Sequence, residues 1–199
     1  GKVLIIGGGT AGMNAAQVAT GIGADVTILE VGEERMGFLD ITMHSAHTLY
    51  SNPGALLDAL PDIDLIIGAV LVPGAKAPKL ITREMLHVMK PGTVFVDIAI
   101  DQGGCAETSR PTTHDSPTYV EEEVIHYCVT NMPGAYARTA TQALTNVTFP
   151  YVQWLAEGGV SGACAKHPEL KLGINIQAGR VTNEAVAAAH GLPFSAATI

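Results

Sequence analysis

Val3-Leu4-Ile5-Ile6 runs directly into Gly7-Gly8-Gly9-Thr10-Ala11-Gly12, and a helical stretch follows from about Thr10 to Thr20. An unbroken apolar run is the pattern of a central parallel strand buried on both faces. The glycine string fits G-x-G-x-x-G, which is a weak signal alone and a strong one between a strand and a helix. In that setting the glycines divide the labour. Gly7 permits the tight turn, Gly9 lets backbone approach a pyrophosphate, and Gly12 lets the helix pack closely on the strand. Free N–H groups and the helix dipole at that end favour an anion. The competing reading is a purely structural strand–helix turn.

Asp25 to Glu30 reads as a second strand ending on an acid, eighteen positions after Gly12 (30 − 12). An acid at about that distance is the expected ribose partner of a dinucleotide. A carboxylate there accepts ribose hydroxyl protons and repels a 2′-phosphate, so NAD is expected over NADP. The alternative for Glu30 is a solvated strand end.

The rest of the chain repeats the alternation. Helices are expected over Glu33 to Leu39, Asn52 to Leu60 (ended by Pro61) and Thr82 to Lys90, with Thr82 as N-cap. Strands are expected over His47 to Tyr50, Asp64 to Val70, Val94 to Asp97 and Val124 to Val129. Pro73 and Gly74 mark a loop, and Gln102 to Pro117 is a long polar loop, a kind that is usually functional or mobile. Thr139 to Glu157 is the longest helical pattern, and Pro150 is expected to kink it or end its first part. Beyond Gly158 the periodicity weakens, with short helices expected over His167 to Leu172 and Asn183 to His190. Strands alternating with helices imply βαβ units. The expected fold class is α/β, a Rossmann-type doubly wound parallel sheet with a helical C-terminal appendage; residues 1–157 form the binding domain and 158–199 the C-terminal segment.

Composition narrows the function. The 199 residues are 47% hydrophobic and 15% charged, which suits a buried core rather than disorder. The net charge of −8 makes nucleic acid an unexpected partner. No apolar run reaches the roughly 18 residues of a membrane span, and no basic-then-apolar leader is seen. Cys105, Cys128 and Cys164 lack C-x-x-C spacing and read as small buried hydrophobes of a reduced, cytoplasmic protein. The scattered histidines do not suggest zinc, and no metal is expected. The chain opens at Gly1 without a methionine, which suggests that an upstream segment is missing.

Asp101 follows the fifth strand closely, at the carboxyl edge where open parallel sheets hold ligands. A carboxylate there can meet the nicotinamide end and a substrate amine, or it can simply cap a turn. Asp97, inside the strand, is expected to be a buried hydrogen-bonding group. His114 and His126 read as loop or packing histidines.

Four further segments carry a resemblance. They are Gly68 to Leu80 (GAVLVPGAKAPKL), Val96 to Cys105 (VDIAIDQGGC), Ser109 to His114 (SRPTTH) and Asn131 to Ala135 (NMPGA). With the glycine loop they make the chain similar to alanine dehydrogenase over nearly its whole length. The related domain of proton-translocating transhydrogenase shares the glycine loop and a version of the first segment, but not the Ile100-Asp101-Gln102-Gly103-Gly104 form or the Arg110-Pro111-Thr112-Thr113 loop.

The resemblance implies the NAD-binding portion of an enzyme that interconverts L-alanine and pyruvate, with ammonia and NAD. It implies a two-domain subunit, usually in a hexamer, whose substrate-binding arginine and lysine and catalytic histidine lie in an N-terminal domain that has no counterpart here. The family's catalytic aspartate matches Asp101. Cofactor contacts match Thr10 and Ala11, beside the fingerprint glycines Gly7, Gly9 and Gly12, and Glu30 at the ribose; Arg35, Ser51, Val70 and Leu71 match the adenosine side; Ile98, Arg110, Asn131 and Met132 match the nicotinamide side. The stretch between Asp40 and Tyr50 is shorter than the family pattern. Trp154 and Gly158 stand where some relatives carry a metal-binding glutamate and histidine. The alternatives are an NAD(H)-binding domain of a transhydrogenase-like protein and a stand-alone NAD-binding module.

Overall fold

A computed structural model describes every residue except 73 and 74, so the expected loop residues Pro73 and Gly74 lie outside the described residues. The chain divides into two compact units, one of residues 1–72 and 76–132 and another that holds residues 133–199.

The first unit runs β1 (Lys2–Ile6), α1 (Thr10–Gly21), β2 (Asp25–Glu30), α2 (Glu33–Thr42), β3 (Ala46–Tyr50), α3 (Pro53–Ala59), β4 (Leu65–Gly68), α4 (Arg83–Leu86), β5 (Val94–Asp97), β6 (Thr118–Glu121) and β7 (Val124–Tyr127). Its strands form one seven-stranded sheet in the order β3-β2-β1-β4-β5-β7-β6. Every neighbouring pair is parallel except β6 with β7. The winding reverses between β1 and β4, which makes this the Rossmann-type doubly wound sheet that the sequence implied.

The alternation of side chains along β1 shows why the sheet needs cover on both faces. Val3 and Ile5 enter a cluster with Ala16 and Ala19 of α1, Ile28 of β2 and Leu39 of α2. Leu4 and Ile6 enter another with Leu56 of α3, Leu86 of α4 and Phe95 of β5. All four β1 side chains are at most 5% exposed, so a polar residue at any of them would meet an apolar wall.

Several boundaries differ from expectation. β4 stops at Gly68, and Val70 and Leu71 lie beyond it. α4 is a single turn capped by Thr82, whose hydroxyl accepts from the Met85 N–H. β6 directly follows the long loop, in a stretch where no element is expected from the sequence; it pairs Thr118 with Tyr127 through Glu121 with Val124.

In the second unit, α5 spans Ala137–Lys166, β8 (Ile176–Gln177) pairs antiparallel with β9 (Arg180–Val181), and α6 spans Glu184–His190. β8 and β9 form a separate two-stranded sheet. Pro150 neither kinks nor ends α5; the non-helical residue is Gly159, at φ 59° and ψ −177°. That region is essentially open to glycine alone, so the bend collects there, where no Cβ resists it. The two compact units divide between Met132 and Pro133, and α5 runs through residue 157.

Candidate functional site

The turn from β1 into α1 is built by steric exclusion. Gly7 has φ +99°, and a Cβ there would lie 2.8 Å from the Ala69 carbonyl oxygen. A Cβ at Gly12 would lie 1.9 Å from the Gly7 carbonyl oxygen and 3.1 Å from Ile5 Cγ2. Gly9, in contrast, has nothing within 4 Å of its missing Cβ. Gly7 and Gly12 therefore serve the protein's own packing, and Gly9 leaves open space at the helix start. Gly9 is also the N-cap residue of α1, with no side-chain cap and no acid in the first turn. A helix start left in that state favours an anionic ligand.

Glu30 closes the other side. Its Oε2 accepts the Gly8 N–H at 2.7 Å, and its Oε1 accepts those of Val31 at 2.8 Å and Gly32 at 3.0 Å. Partial burial works to raise its pKa, but the N–H donors of Gly32, Gly8 and Val31, with the Arg35 charge, outweigh burial and hold the carboxyl below its usual range. The group is an ionised, acceptor-only side chain in a fixed orientation. Arg35 braces the same loop, donating from Nε to the Gly8 carbonyl at 2.6 Å, with its guanidinium 4.9 Å from the Phe38 ring centroid.

These elements surround a cavity of about 660 Å³ at the carboxyl ends of β1, β2 and β4. Of the residues that the sequence marks as candidates, Gly7, Gly9, Thr10, Glu30, Ser51, Val70 and Leu71 line it. Gly12 and Arg35 support it from behind, and Ala11 is exposed on the first turn of α1 without lining it. Leu29, Leu56 and Leu80 add apolar wall. Gly8 has no role of its own in the fingerprint, yet a Cβ there would meet Leu39 Cδ1 at 2.5 Å and the Glu30 carboxylate at 3.1 Å. Its place between two fingerprint glycines is the one sequence signal of that need.

The second set of residues does not line this cavity. Ile98 and Asp101 lie on a 3₁₀ turn, Ile98–Gln102, directly after β5, and both are exposed. Asn131, in the left-handed region at φ 54°, and Met132 follow β7. Arg110 is exposed on the long loop. All five sit on the β5–β7 side of the same sheet edge.

The long loop that carries Arg110 is tied down, contrary to the mobility its length allows. Asp97 is fully buried; its Oδ1 accepts the Ala99 N–H at 3.0 Å, and its Oδ2 accepts the Cys105 N–H at 2.9 Å and the Ser109 hydroxyl at 2.5 Å. Lys79 Nζ donates to the carbonyls of Gly103, Gly104 and Ala106 at 2.6–2.9 Å. A lysine in a proline-flanked stretch gives no sequence signal for such a role. Cys105, Cys128 and Cys164 are buried and unpaired, and burial pushes the Cys105 and Cys128 thiols up, away from thiolate chemistry. Among the described residues no three His, Cys, Asp or Glu side chains gather as a metal-ligand set, and no helix is long and apolar enough to cross a membrane.

The family described as "Alanine dehydrogenase/PNT, C-terminal domain" matches residues 1–184. The chain belongs to this family. An alanine dehydrogenase of Halomonas elongata is 55% identical over 194 residues, which cover 97% of this chain and 52% of the relative. A solved L-alanine dehydrogenase superposes with a TM-score of 0.84 at 45% identity, covering 96% of this chain and 53% of that one. A transhydrogenase from Sinorhizobium meliloti gives a TM-score of 0.64 at 28% identity, covering 71% and 41%. The chain thus spans about half the length of the alanine dehydrogenases it matches.

Proposed function

We propose that the chain is the NAD-binding portion of an L-alanine dehydrogenase, which converts L-alanine, NAD and water to pyruvate, ammonia and NADH. The observation that carries the cofactor reading is the cavity that joins an uncapped helix start at Gly9 to the fixed carboxylate of Glu30. The fit is chemical at three points. The N–H groups at the start of α1 suit a pyrophosphate. Glu30 can accept ribose hydroxyl protons, while its charge disfavours a 2′-phosphate. Val70, Leu71 and Leu29 offer apolar contact to an adenine ring, with Ser51 and Arg35 on the same side.

When bound, NAD supplies the hydride acceptor. Ile98, Arg110, Asn131 and Met132 form the nicotinamide side of the edge. Asp101, exposed beside them, holds negative charge where positive charge develops at the substrate amine. The sequence identity to alanine dehydrogenases, higher than to the transhydrogenase, supports this substrate class over hydride transfer to a partner protein.

The resemblance also supports a homo-oligomer acting in the cytoplasm and contact of residues 158–199 with a substrate domain. Exposed apolar side chains on α5, among them Leu144, Val147, Phe149 and Val152, support burial against other protein. Calorimetric titration with NAD and NADP tests the cofactor reading. NAD is expected to bind more tightly, and Glu30→Ala is expected to lose both affinity and discrimination. Equal affinities in the unaltered chain would refute it.

A further inference from the structure

The exposed guanidinium of Arg110 stands on a column that reaches into the core. Its Cζ lies 3.8 Å from the centroid of the Tyr119 ring. The Tyr119 ring stacks on His126 with centroids 4.9 Å apart and planes 24° from parallel. His126 in turn meets Phe95 edge-on at 5.4 Å, and both are fully buried. The column begins in the sheet and ends on the loop.

Hydrogen bonds fix the same groups. The Tyr119 hydroxyl accepts the Arg110 backbone N–H and donates to the Thr108 carbonyl, each at 2.9 Å. His126 Nδ1 lies 3.0 Å from the Val124 carbonyl, which can only accept, so Nδ1 carries the proton. Nε2 then accepts the Thr108 hydroxyl at 2.8 Å. Burial lowers the His126 pKa and keeps the ring in this neutral form. Ser109 is held by Asp97. Three consecutive loop residues, 108 to 110, are therefore each anchored to β5, β6 or β7.

We propose that Tyr119 is a positioning residue that presents Arg110 to the nicotinamide end of the bound cofactor. The proposal rests on the reading of Arg110 as part of that end. An exposed arginine ordinarily samples many rotamers; stacked on a ring that is itself stacked on buried histidine, this one holds one direction. The hydroxyl and the ring act separately: the hydroxyl sets the loop backbone and the ring sets the side chain. β6, a short antiparallel edge strand, serves to carry this side chain.

The test is calorimetric titration of the chain with NADH and with ADP-ribose, which lacks the nicotinamide. Unaltered chain, Tyr119→Phe, Tyr119→Leu, Arg110→Gln and the double variant Tyr119→Leu/Arg110→Gln are compared. Tyr119→Phe is expected to lose about two- to fivefold in NADH affinity, the scale of one net hydrogen bond, and Tyr119→Leu about tenfold. ADP-ribose affinity is expected to stay within about twofold, a selectivity that loss of general stability would not produce. The double variant is expected to lose no more than Arg110→Gln alone, since Tyr119 acts through Arg110. Equal losses for both ligands, unchanged NADH affinity in Tyr119→Leu, or additive losses in the double variant overturn the proposal. Arg110→Gln changes only a surface side chain, so NADH and ADP-ribose affinities there equal to those of the unaltered chain would overturn it without reference to folding. Failure of the unaltered chain to bind either ligand would instead reject the cofactor reading itself.

Discussion

Gly12→Ala and Gly9→Ala, three residues apart in one motif, are expected to fail in different ways. A Cβ at position 12 would stand 1.9 Å from the Gly7 carbonyl oxygen, so about 1.1 Å of movement is needed to reach even a 3.0 Å contact. The oxygen belongs to main chain and a Cβ has no rotamer that moves it away, while Ile5 Cγ2 at 3.1 Å blocks one way out. Overpacking a dense site costs about 1–3 kcal/mol, and a clash with immovable main chain belongs at the upper end. Alanine returns about 1 kcal/mol of helix propensity. The net destabilisation is about 2 kcal/mol, or about 4–8 °C in Tm for a protein of this size. At Gly9 no atom lies within 4 Å and φ is −64°, so alanine fits the free protein. Its methyl would occupy the space assigned to the pyrophosphate. Thermal unfolding followed by circular dichroism, paired with NAD titration, separates the two. Gly9→Ala should keep its Tm within about 2 °C and lose more than about tenfold in affinity, whereas Gly12→Ala should lose both stability and affinity. A stable Gly12→Ala, or a Gly9→Ala that melts early and binds normally, would refute the division of labour between the glycines.

Glu30 gives an acid-side signature. Its folded pKa lies below the usual 4.5, so its contribution is full above about that pH and is lost as pH falls through the folded value; the stability gap between the unaltered chain and Glu30→Gln, read by urea unfolding, should narrow on acidification. In the β6–β7 hairpin, Glu122 and Glu123 both hold positive φ, 47° and 63°, in a two-residue turn that favours Asn-Gly. Glu123→Gly should therefore stabilise the chain by up to about 1 kcal/mol in denaturant unfolding. The 199 residues alone are expected to bind NAD without forming NADH from L-alanine, measured by absorbance. Lys79 is engaged by three carbonyls and Arg110 by Tyr119, which leaves the β5 side of the edge poor in cations for the substrate carboxylate.

The parts of the site governed by short-range rules are legible in the sequence. The apolar run of β1, the glycine spacing and the acid ending β2 each follow from local chemistry, and all meet at one cavity. β6 is hidden because Thr118–Glu121 offers one aliphatic residue, Val120, and that one is exposed. Its pairing with β7 and the Tyr119 stack decide its conformation, and neither is local. Lys79 is hidden for the same reason, since its acceptors lie 24–27 positions away. Pro150 misleads because a helix can absorb a missing donor, while Gly159 gives no warning beyond its lack of a side chain.

Gly159 also has a mechanical meaning. At φ 59° and ψ −177° it occupies backbone territory denied to the other nineteen amino acids, so the segments of α5 before and after it are two rods on a joint rather than one long rod. Any substitution there would press the joint toward straightness and redirect everything that follows, including the small β8–β9 sheet and α6. The course of the chain's final stretch is thus written in a single missing methyl group.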